Sequence, residues 1–243
     1  MIRLETALRW LNVSRTKFAA SMDYAVPGNL NFTSLYEIAS ALGTNPPFSI
    51  LTIGIEKGGV GKSTLTVNLA AFMAARGMRV LVIDFDPQAC ATNFLLPDDA
   101  DYSRLITPLE LFSGSASGFA DEAVDSRIDG VRLIPSKAGV RKIIRSWSGI
   151  RIYEKIQELL VGADKRFEAV IFDVPPSFSD QFAAAYMIAD LVIMPVIPDI
   201  WAIESIALTL DDIRDIADEW KVSQPVVRIV LNRYNPNRKA GLE

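Results

Sequence analysis

The chain has 243 residues, of which 50% are hydrophobic and 22% charged, and 25 basic against 29 acidic residues give a net charge of −4. This balance is typical of a globular protein with a sizeable core. It excludes a largely disordered chain and a uniformly basic nucleic-acid coat protein. One cysteine, Cys90, and no histidine exclude an internal disulfide, a cysteine zinc site and catalysis by an imidazole base. No apolar run reaches the roughly 18 residues that cross a bilayer, so we expect a cytoplasmic protein without a membrane segment.

Residues 1–47 are predicted to form a short helical extension. Leucines recur at helical spacing near its start, and the proline pair at 46–47 forces an extended connection to the rest of the chain. Two parts of this segment resemble the flanks of a repressor-type helix-turn-helix. Pro27 and Gly28 interrupt the stretch between them, which is too short and too broken for a recognition helix. We therefore favour a packing extension or a dimerisation arm over a degenerate helix-turn-helix.

The rest of the chain, residues 48–243, alternates short apolar runs with longer stretches of helical periodicity. The runs are nearly continuous in apolar character, as strands covered by helices on both faces require. Predicted strands span residues 50–55, 80–83, 131–134, 169–172, 191–196 and 226–231, and predicted helices span 63–76, 150–161, 179–189 and 202–220. This alternation predicts an α/β domain with a doubly wound, mostly parallel sheet, whose ligands bind beyond the carboxyl ends of the strands.

A glycine-rich loop, Glu56-Lys-Gly-Gly-Val-Gly-Lys-Ser-Thr64, separates the first predicted strand from the first predicted helix. Glycines let successive backbone N–H groups turn inward to bind an anion, and the helix N-terminus adds its positive dipole end. Lys62 can reach the β- and γ-phosphates of a nucleotide, and the Ser63 hydroxyl can ligate Mg²⁺. The general phosphate-loop motif has Gly where Glu56 stands, and Lys57 adds a second lysine. The segment therefore predicts a phosphate-binding loop of an unusual form.

Three aspartates follow predicted strands. Asp84 and Asp86 come at the end of the second strand, and Asp173 comes at the end of the fourth. An isolated aspartate in such a place is best explained as a helix cap or a turn residue. Because parallel strands end at the same edge of a sheet, we expect all three acids to lie near the phosphate loop. Carboxylates placed there hold Mg²⁺ and its water shell in nucleotide-hydrolysing enzymes.

The motifs at residues 57–64, 84–88 and 173–177, in this order, resemble those of the ParA/Soj/MinD family of deviant Walker A P-loop ATPases. Members of this family partition plasmids, chromosomes and other cargo, or position cell division. The resemblance covers about residues 48–236, and the Asp-Pro-Gln sequence that begins at Asp86 is more similar to the ParA/Soj branch than to MinD. It implies a fold of the P-loop NTPase type, weak Mg²⁺-dependent hydrolysis of ATP to ADP and phosphate, and ATP and Mg²⁺ as cofactors.

The resemblance also implies roles for individual residues. Lys57 would be the signature lysine that crosses a dimer interface to the partner's nucleotide. Lys62 would be the phosphate lysine, and Asp86 would position the attacking water. Mg²⁺ would be held by Ser63, Asp84 and Asp173. The nucleotide would be bound by the loop and by a later asparagine that contacts adenine, namely by Gly58, Gly59, Val60, Gly61, Lys62, Ser63, Thr64 and Asn232.

From the resemblance we expect a homodimer formed on ATP binding, nonspecific DNA as a ligand, and a ParB-like or other adaptor protein that stimulates hydrolysis. The ATP-bound form would be associated with the nucleoid. Two basic clusters, at residues 137–155 and 221–239, are candidate contacts for DNA phosphates, with an ordinary solvated face as the equal alternative. The family normally continues beyond the last predicted strand, so we expect the ATPase domain to lack its C-terminal end.

Other functions on the same fold are alternatives. A MinD-like positioning ATPase and an ATP-regulated repressor of its own operon would share the nucleotide site. A cluster carrier or electron-transfer protein needs at least two cysteines, and Cys90 stands alone. A biosynthetic ligase such as a dethiobiotin-synthetase-like enzyme would lack the lysine at position 57 and the acid at position 86. It therefore ranks below the partitioning ATPase.

Overall fold

A computed structural model of the chain describes residues 2–3, 31–32, 48–114, 118–137, 147–177 and 180–234. Near the N-terminus, strand β1 (Ile2–Arg3) pairs antiparallel with β2 (Asn31–Phe32). The helices predicted within residues 1–47, and the alternative of a degenerate helix-turn-helix, lie outside the described residues. They stay predictions.

The main sheet has seven strands in the spatial order β5-β6-β4-β7-β3-β8-β9. The strands are β3 (Ser49–Ile53), β4 (Val80–Asp84), β5 (Val124–Asp125), β6 (Val131–Ile134), β7 (Ala169–Asp173), β8 (Leu191–Val196) and β9 (Val226–Leu231). Every neighbouring pair is parallel except β5 with β6. The prediction of a doubly wound, mostly parallel sheet is confirmed, and the predicted strands agree with the observed bounds to within about two residues.

Helices connect these strands and cover both faces of the sheet. The α-helices in the described part of the chain are α1 (Lys62–Ala74), α2 (Cys90–Leu95), α3 (Pro108–Ser113), α4 (Phe119–Glu122), α5 (Gly149–Leu159), α6 (Asp180–Met187) and α7 (Ala202–Trp220). Short 3₁₀ turns occupy Tyr102–Arg104 and Ala163–Lys165. The periodicity predicted α1, α5, α6 and α7. It did not predict α2, α3, α4 or β5, because elements of two to six residues are too short to show a period.

The central strands are apolar throughout because both of their faces are covered. Every residue of β4 and β7 is buried. Side chains alternate across a strand, so Leu81 and Ile83 join one apolar layer while Val80 and Val82 join the layer on the opposite face. The continuous apolar runs in the sequence are the direct consequence of this double burial.

The register of the sheet aligns the functional motifs at one edge. Asp84 at the end of β4 pairs with Asp173 at the end of β7, and Asp173 also pairs with Ile53 at the end of β3. The phosphate loop begins at Glu56, shortly after β3 ends at Ile53. The inner face of α1 is formed by buried residues four positions apart, Lys62, Thr66 and Ala70. The two aspartates and the first turns of α1 therefore meet at the carboxyl edge of the sheet.

Strand β9 lies at the other edge of the sheet, and most of its residues are exposed to solvent. Residues 235–243 follow it and lie outside the described residues, so the expected loss of a C-terminal end stays a prediction. Among the described residues, no helix combines the length and the apolar character that crossing a bilayer requires.

Candidate functional site

The loop between β3 and α1 presents open backbone at the carboxyl edge of the sheet. Gly59 (φ 73°) and Gly61 (φ 95°) take left-handed conformations that glycine tolerates best. A Cβ built on Gly58 or Gly59 would have no atom within 4 Å, so there is room beside the loop for a ligand. The Gly61 carbonyl accepts a hydrogen bond from the Leu65 N–H at 2.9 Å, which starts α1. Backbone N–H groups and a helix N-terminus around open space suit a phosphate group.

Lys62 places a partly desolvated ammonium group inside this loop. The residue is only 7% exposed, and its Nζ donates a hydrogen bond to the Lys57 carbonyl at 2.7 Å. Burial lowers the pKa of Lys62, while the nearby carboxylates of Asp173 and Asp86 act in the opposite direction. A triphosphate entering the loop would add negative charge beside an ammonium that lacks full hydration, so the two would attract each other strongly.

Asp84 and Asp173 form a buried pair of carboxyl groups on neighbouring strands. Burial, reinforced by the charge of Asp173, raises the pKa of Asp84 to about 8. Burial raises the pKa of Asp173 to about 6, against the lowering effect of hydrogen bonds from Ser63 and Thr66. The Thr66 hydroxyl donates to Asp173 Oδ1 at 2.9 Å, and the Thr92 hydroxyl donates to Asp84 Oδ2 at 2.7 Å. Two acids that disfavour each other's ionisation form a site that a cation would stabilise.

The oxygen atoms of the acids at this edge of the sheet suit Mg²⁺ as a ligand set. Asp173 Oδ2 is buried and has no hydrogen-bond partner among the described residues, so one carboxylate oxygen is available to a ligand. Oxygen donors are those that Mg²⁺ prefers. The described part of the chain holds no ready cluster of three or more acidic, histidine or cysteine side chains for a metal ion. In nucleotide sites, one or two protein oxygens and the phosphates share the ion.

Asp86 lies at the start of the turn that leads into α2. Its Oδ1 accepts a hydrogen bond from the Gln88 N–H at 2.8 Å, and its carbonyl accepts one from the Ala89 N–H at 2.8 Å. The side chain is 7% exposed and close enough to Lys62 and Asp173 to affect the pKa of each. The structure therefore brings the predicted catalytic acid to the same edge as the phosphate loop.

Lys57 lies on the rim of the loop and pairs with an acid of its own chain. Its Nζ lies 2.5 and 2.6 Å from the two carboxylate oxygens of Asp199, and the Lys57 side chain is 21% exposed. Asp199 follows β8, and its Oδ1 also accepts a hydrogen bond from the Trp201 N–H at 3.1 Å. The hydrogen bond from Lys57 lowers the pKa of Asp199. The predicted contact of Lys57 with a partner's nucleotide is not tested by a single chain and stays a prediction.

Asn232 lies against the phosphate loop. Its side-chain Nδ2 donates to the Val60 carbonyl at 2.8 Å, and its backbone N–H donates to the Val196 carbonyl at 2.7 Å. The predicted contact with adenine is not tested, and it stays a prediction. What the structure shows is the hydrogen bond from this side chain to the loop.

Known proteins match the same part of the chain. A family model described as an AAA domain matches residues 48–225. The chromosome partitioning protein ParA of Caulobacter vibrioides is 29% identical over 193 residues, which cover 78% of this chain and 71% of that protein. The chain belongs to the ParA-like P-loop ATPases within this AAA-domain family. The sporulation initiation inhibitor protein Soj of Bacillus subtilis is 25% identical over 194 residues, which cover 80% of this ParA-like chain and 76% of Soj.

Two solved structures share the fold of this ParA-like ATPase. A plasmid partition protein from Borrelia burgdorferi matches with a TM-score of 0.68 at 23% identity, over 80% of this chain and 84% of that chain. Cobyrinic acid a,c-diamide synthase from Mycobacterium smegmatis, with bound ADP and magnesium, matches with a TM-score of 0.62 at 26% identity. That match covers 75% of this chain and 72% of the synthase. Both support the sheet topology described above, which is confirmed as the P-loop NTPase type.

Sequence reasoning did not find three residues that the structure places in the site. Thr66 and Thr92 bond the two buried aspartates, and Asp199 pairs with Lys57. A signal existed for Asp199, because it lies three residues beyond the apolar strand β8, near a strand end like Asp84 and Asp173. Nothing in the spacing distinguishes the two threonines from ordinary helix residues, because their importance depends on what each helix faces.

Proposed function

We propose that this ParA-like ATPase is a dimerising switch that partitions plasmids, chromosomes or other cargo, and that ATP binding closes the dimer. Family membership makes the chain a Mg²⁺-dependent ATPase with ATP and Mg²⁺ as its cofactors. The observation that carries the proposal is the arrangement of two lysines in one loop. Lys62 is buried toward the phosphate space, whereas Lys57 lies on the rim, where it can reach a second chain.

The phosphate loop would bind the nucleotide's phosphates, and the acids would serve Mg²⁺ and the attacking water. Backbone N–H groups of residues 58–64 and the Lys62 ammonium would hold the phosphates. Ser63 and the pair Asp84 and Asp173 would hold Mg²⁺, which supplies positive charge to the transferring phosphoryl group. Asp86 would orient the attacking water. Asp173 Oδ2, buried and without a hydrogen-bond partner in the described part of the chain, supports the assignment of the metal site.

Lys57 would act in the partner's nucleotide site only after its ion pair with Asp199 breaks. In the free chain Asp199 holds the Lys57 ammonium by a two-oxygen contact. A partner's triphosphate carries more negative charge than one carboxylate, so ATP in the facing site can compete for Lys57. Loss of the γ-phosphate removes part of that attraction, which returns Lys57 to Asp199 and opens the dimer. Lys57 would thus exchange the Asp199 carboxylate for the partner's γ-phosphate, and this exchange would link ATP hydrolysis to dissociation of the dimer.

DNA binding, an adaptor protein and association with the nucleoid belong to the same proposal. In the first basic cluster, Lys155 pairs with Glu158 at 2.8 Å, and the Arg151 guanidinium stacks on Trp147 at 4.0 Å from the ring centre. In the second, Lys221, Arg228 and Arg233 form no ion pair with any described residue. Both clusters thus stay candidates for contacts with DNA phosphates. Binding that weakens steeply with added salt is expected of such contacts.

The decisive experiment compares the unmodified protein with three variants by light scattering coupled to gel filtration and by phosphate release. With Mg²⁺ and ATP the unmodified protein should become a dimer, and with ADP a monomer. Lys57→Ala should still bind ATP through Lys62, yet neither dimerise nor hydrolyse it. Asp86→Ala should bind ATP and stay dimeric because it hydrolyses slowly. Lys165→Ala, a lysine in the Ala163–Lys165 turn remote from the loop, serves as the control for the loss of one positive charge. A Lys57→Ala protein with unchanged dimerisation and turnover would contradict the proposal.

A biosynthetic ligase is the second candidate, because one structural neighbour is named as a diamide synthase. A ligase would use ATP to activate the carboxylate of a small molecule, so its ATP turnover would respond to that molecule. A partitioning switch would instead respond to DNA and an adaptor protein. Phosphate release measured with nonspecific DNA, and separately with a panel of small carboxylic acids, separates the two functions.

A further inference from the structure

Asn232 is fixed in place by the end of the sheet. Strand β9 runs parallel to β8, with Leu231 opposite Val196. The next residue, Asn232, continues the ladder, because its backbone N–H donates to the Val196 carbonyl at 2.7 Å. The β8 strand is in turn tied to the start of the phosphate loop, since the Gly54 N–H donates to the Ile193 carbonyl at 3.1 Å. The backbone of Asn232 and the base of the loop therefore share one rigid support.

Both ends of the Asn232 side-chain amide are engaged. Its Nδ2 donates to the Val60 carbonyl at 2.8 Å, and its Oδ1 accepts from the Arg233 N–H at 2.9 Å. Arg233 has a left-handed backbone with φ of 54°, a conformation in which a local side-chain bond is useful. The amide thus has a fixed orientation, with its donor directed at the loop and its acceptor directed back at its own strand end.

The bond from Asn232 reaches a buried part of the phosphate loop. Val60 is fully buried, so its carbonyl oxygen cannot rely on bulk water and needs a protein donor. The following residue, Gly61, takes φ of 95° and precedes α1. A Cβ on Gly61 would lie 2.6 Å from Asn232 Nδ2, so the amide packs directly on the glycine as well as bonding its neighbour. Glycine is required there by both the backbone angle and the amide.

We propose that Asn232 is a positioning residue for the phosphate loop: its amide fixes Val60 and Gly61, and so aims the loop's N–H groups at the phosphates. The inference rests on the ATP binding described above, but its effect on the loop exists without nucleotide. Donors fixed before binding hold phosphate better, because no ordering is needed on association. This role differs from a contact with adenine, since it acts on the phosphate end of every nucleotide alike.

The test uses the full chain with Asn232→Asp, which keeps the size and the Oδ1 acceptor but replaces the donor by a charged oxygen. Asn68→Asp is the matched control, because Asn68 Nδ2 also donates to a backbone carbonyl, that of Thr64, at 2.8 Å, and is exposed. Asn232→Ala removes both bonds without adding a charge that would repel phosphate, so it is measured in parallel and is the variant used for affinity. Hydrogen exchange of residues 56–65 is measured without nucleotide. Affinity is then measured for MgATP, MgGTP and magnesium tripolyphosphate.

The expected result has two parts. Within this stretch, exchange in residues 57–61 should be faster in both Asn232 variants and unchanged in Asn68→Asp, whose lost bond is to Thr64. All three ligands should bind about three- to tenfold more weakly to Asn232→Ala, the effect expected when its one neutral hydrogen bond to the loop is lost, with the preference for ATP over GTP unchanged. Unchanged exchange would overturn the inference. So would weaker binding of ATP with unaltered binding of tripolyphosphate, which is the pattern of an adenine contact. Wild-type protein that binds no nucleotide would refute the proposed function, while the exchange measurement would still decide the role of Asn232.

Discussion

Replacing Thr66 by valine tests the hydrogen bond that supports the buried Asp173. Thr66 is fully buried on α1, and its hydroxyl lies 2.9 Å from Asp173 Oδ1. Valine has nearly the same shape, so Thr66→Val removes the hydroxyl with little change in packing. A hydrogen bond to an ionised group contributes about 1.5–3 kcal/mol, and one between neutral groups about 0.5–1.5 kcal/mol. The size of the loss therefore depends on whether Asp173 is ionised.

The pKa of Asp173, raised to about 6, sets the pH at which the loss of stability should change in size. At pH 8 the carboxyl is mostly ionised, and Thr66→Val should lower the free energy of unfolding by about 2 kcal/mol. At pH 5 the carboxyl is mostly protonated, and the loss should fall to about 1 kcal/mol. The sign follows from linkage: removing the donor raises the pKa of Asp173 further, and a raised carboxyl pKa makes stability fall as pH rises. Urea unfolding of the nucleotide-free protein at both values measures the difference.

Two controls show whether the effect of Thr66→Val comes from the lost hydroxyl group. Thr64→Val makes the same change on an exposed residue of the same helix and should alter stability by less than about 0.5 kcal/mol. In an Asp173→Asn background the effect of Thr66→Val should no longer depend on pH, since the charged partner is gone. Equal losses at pH 5 and pH 8 in the otherwise unmodified protein would refute the reasoning that Thr66 stabilises an ionised carboxylate.

Three further predictions follow from the same edge of the sheet. The pKa of Asp84 is raised from 3.8 to about 8, so the native state keeps a proton that the unfolded chain has lost, and wild-type stability falls as pH rises through that window. Asp84→Asn should remove much of this fall in urea unfolding, because the amide has no proton to lose in this pH range. Binding of MgATP should release protons near pH 7, because the cation lowers the raised pKa values of Asp84 and Asp173. Titration calorimetry in buffers of different ionisation enthalpy measures that release, and identical heats would contradict it. Gly54→Ala should lower the free energy of unfolding by about 1–3 kcal/mol, because its Cβ would lie 2.5 Å from Tyr186 Cζ and 2.7 Å from Val174 Cγ2. Gly58→Ala, whose Cβ meets nothing within 4 Å, should leave the thermal unfolding midpoint of the nucleotide-free protein unchanged.

The motif alone predicted the role of one lysine of the loop but not the contact made by the other. Their spacing alone indicated that Lys62 belongs with phosphates, and burial of Lys62 in the structure agrees with this. The same spacing said nothing of where Lys57 rests in a single chain. Its acid, Asp199, is 142 residues away in sequence and reaches it only because β8 lies beside β3 in the sheet. The proposed crossing of Lys57 to a partner's nucleotide would require this pair to break.

By itself the sequence determined the strand–helix alternation, the phosphate loop, and the acids that end β4 and β7. Each is a local property: apolar runs reflect double burial, glycines reflect backbone shape, and parallel strands must finish at one edge. The tertiary structure decided which groups meet there. The bond between Asn232 and Val60 joins residues 172 apart, and that between Thr66 and Asp173 joins residues 107 apart. Such contacts depend on strand order and on the rotation of each helix about its axis. Both arise from packing of the whole core, and neither produces a periodic pattern in the sequence.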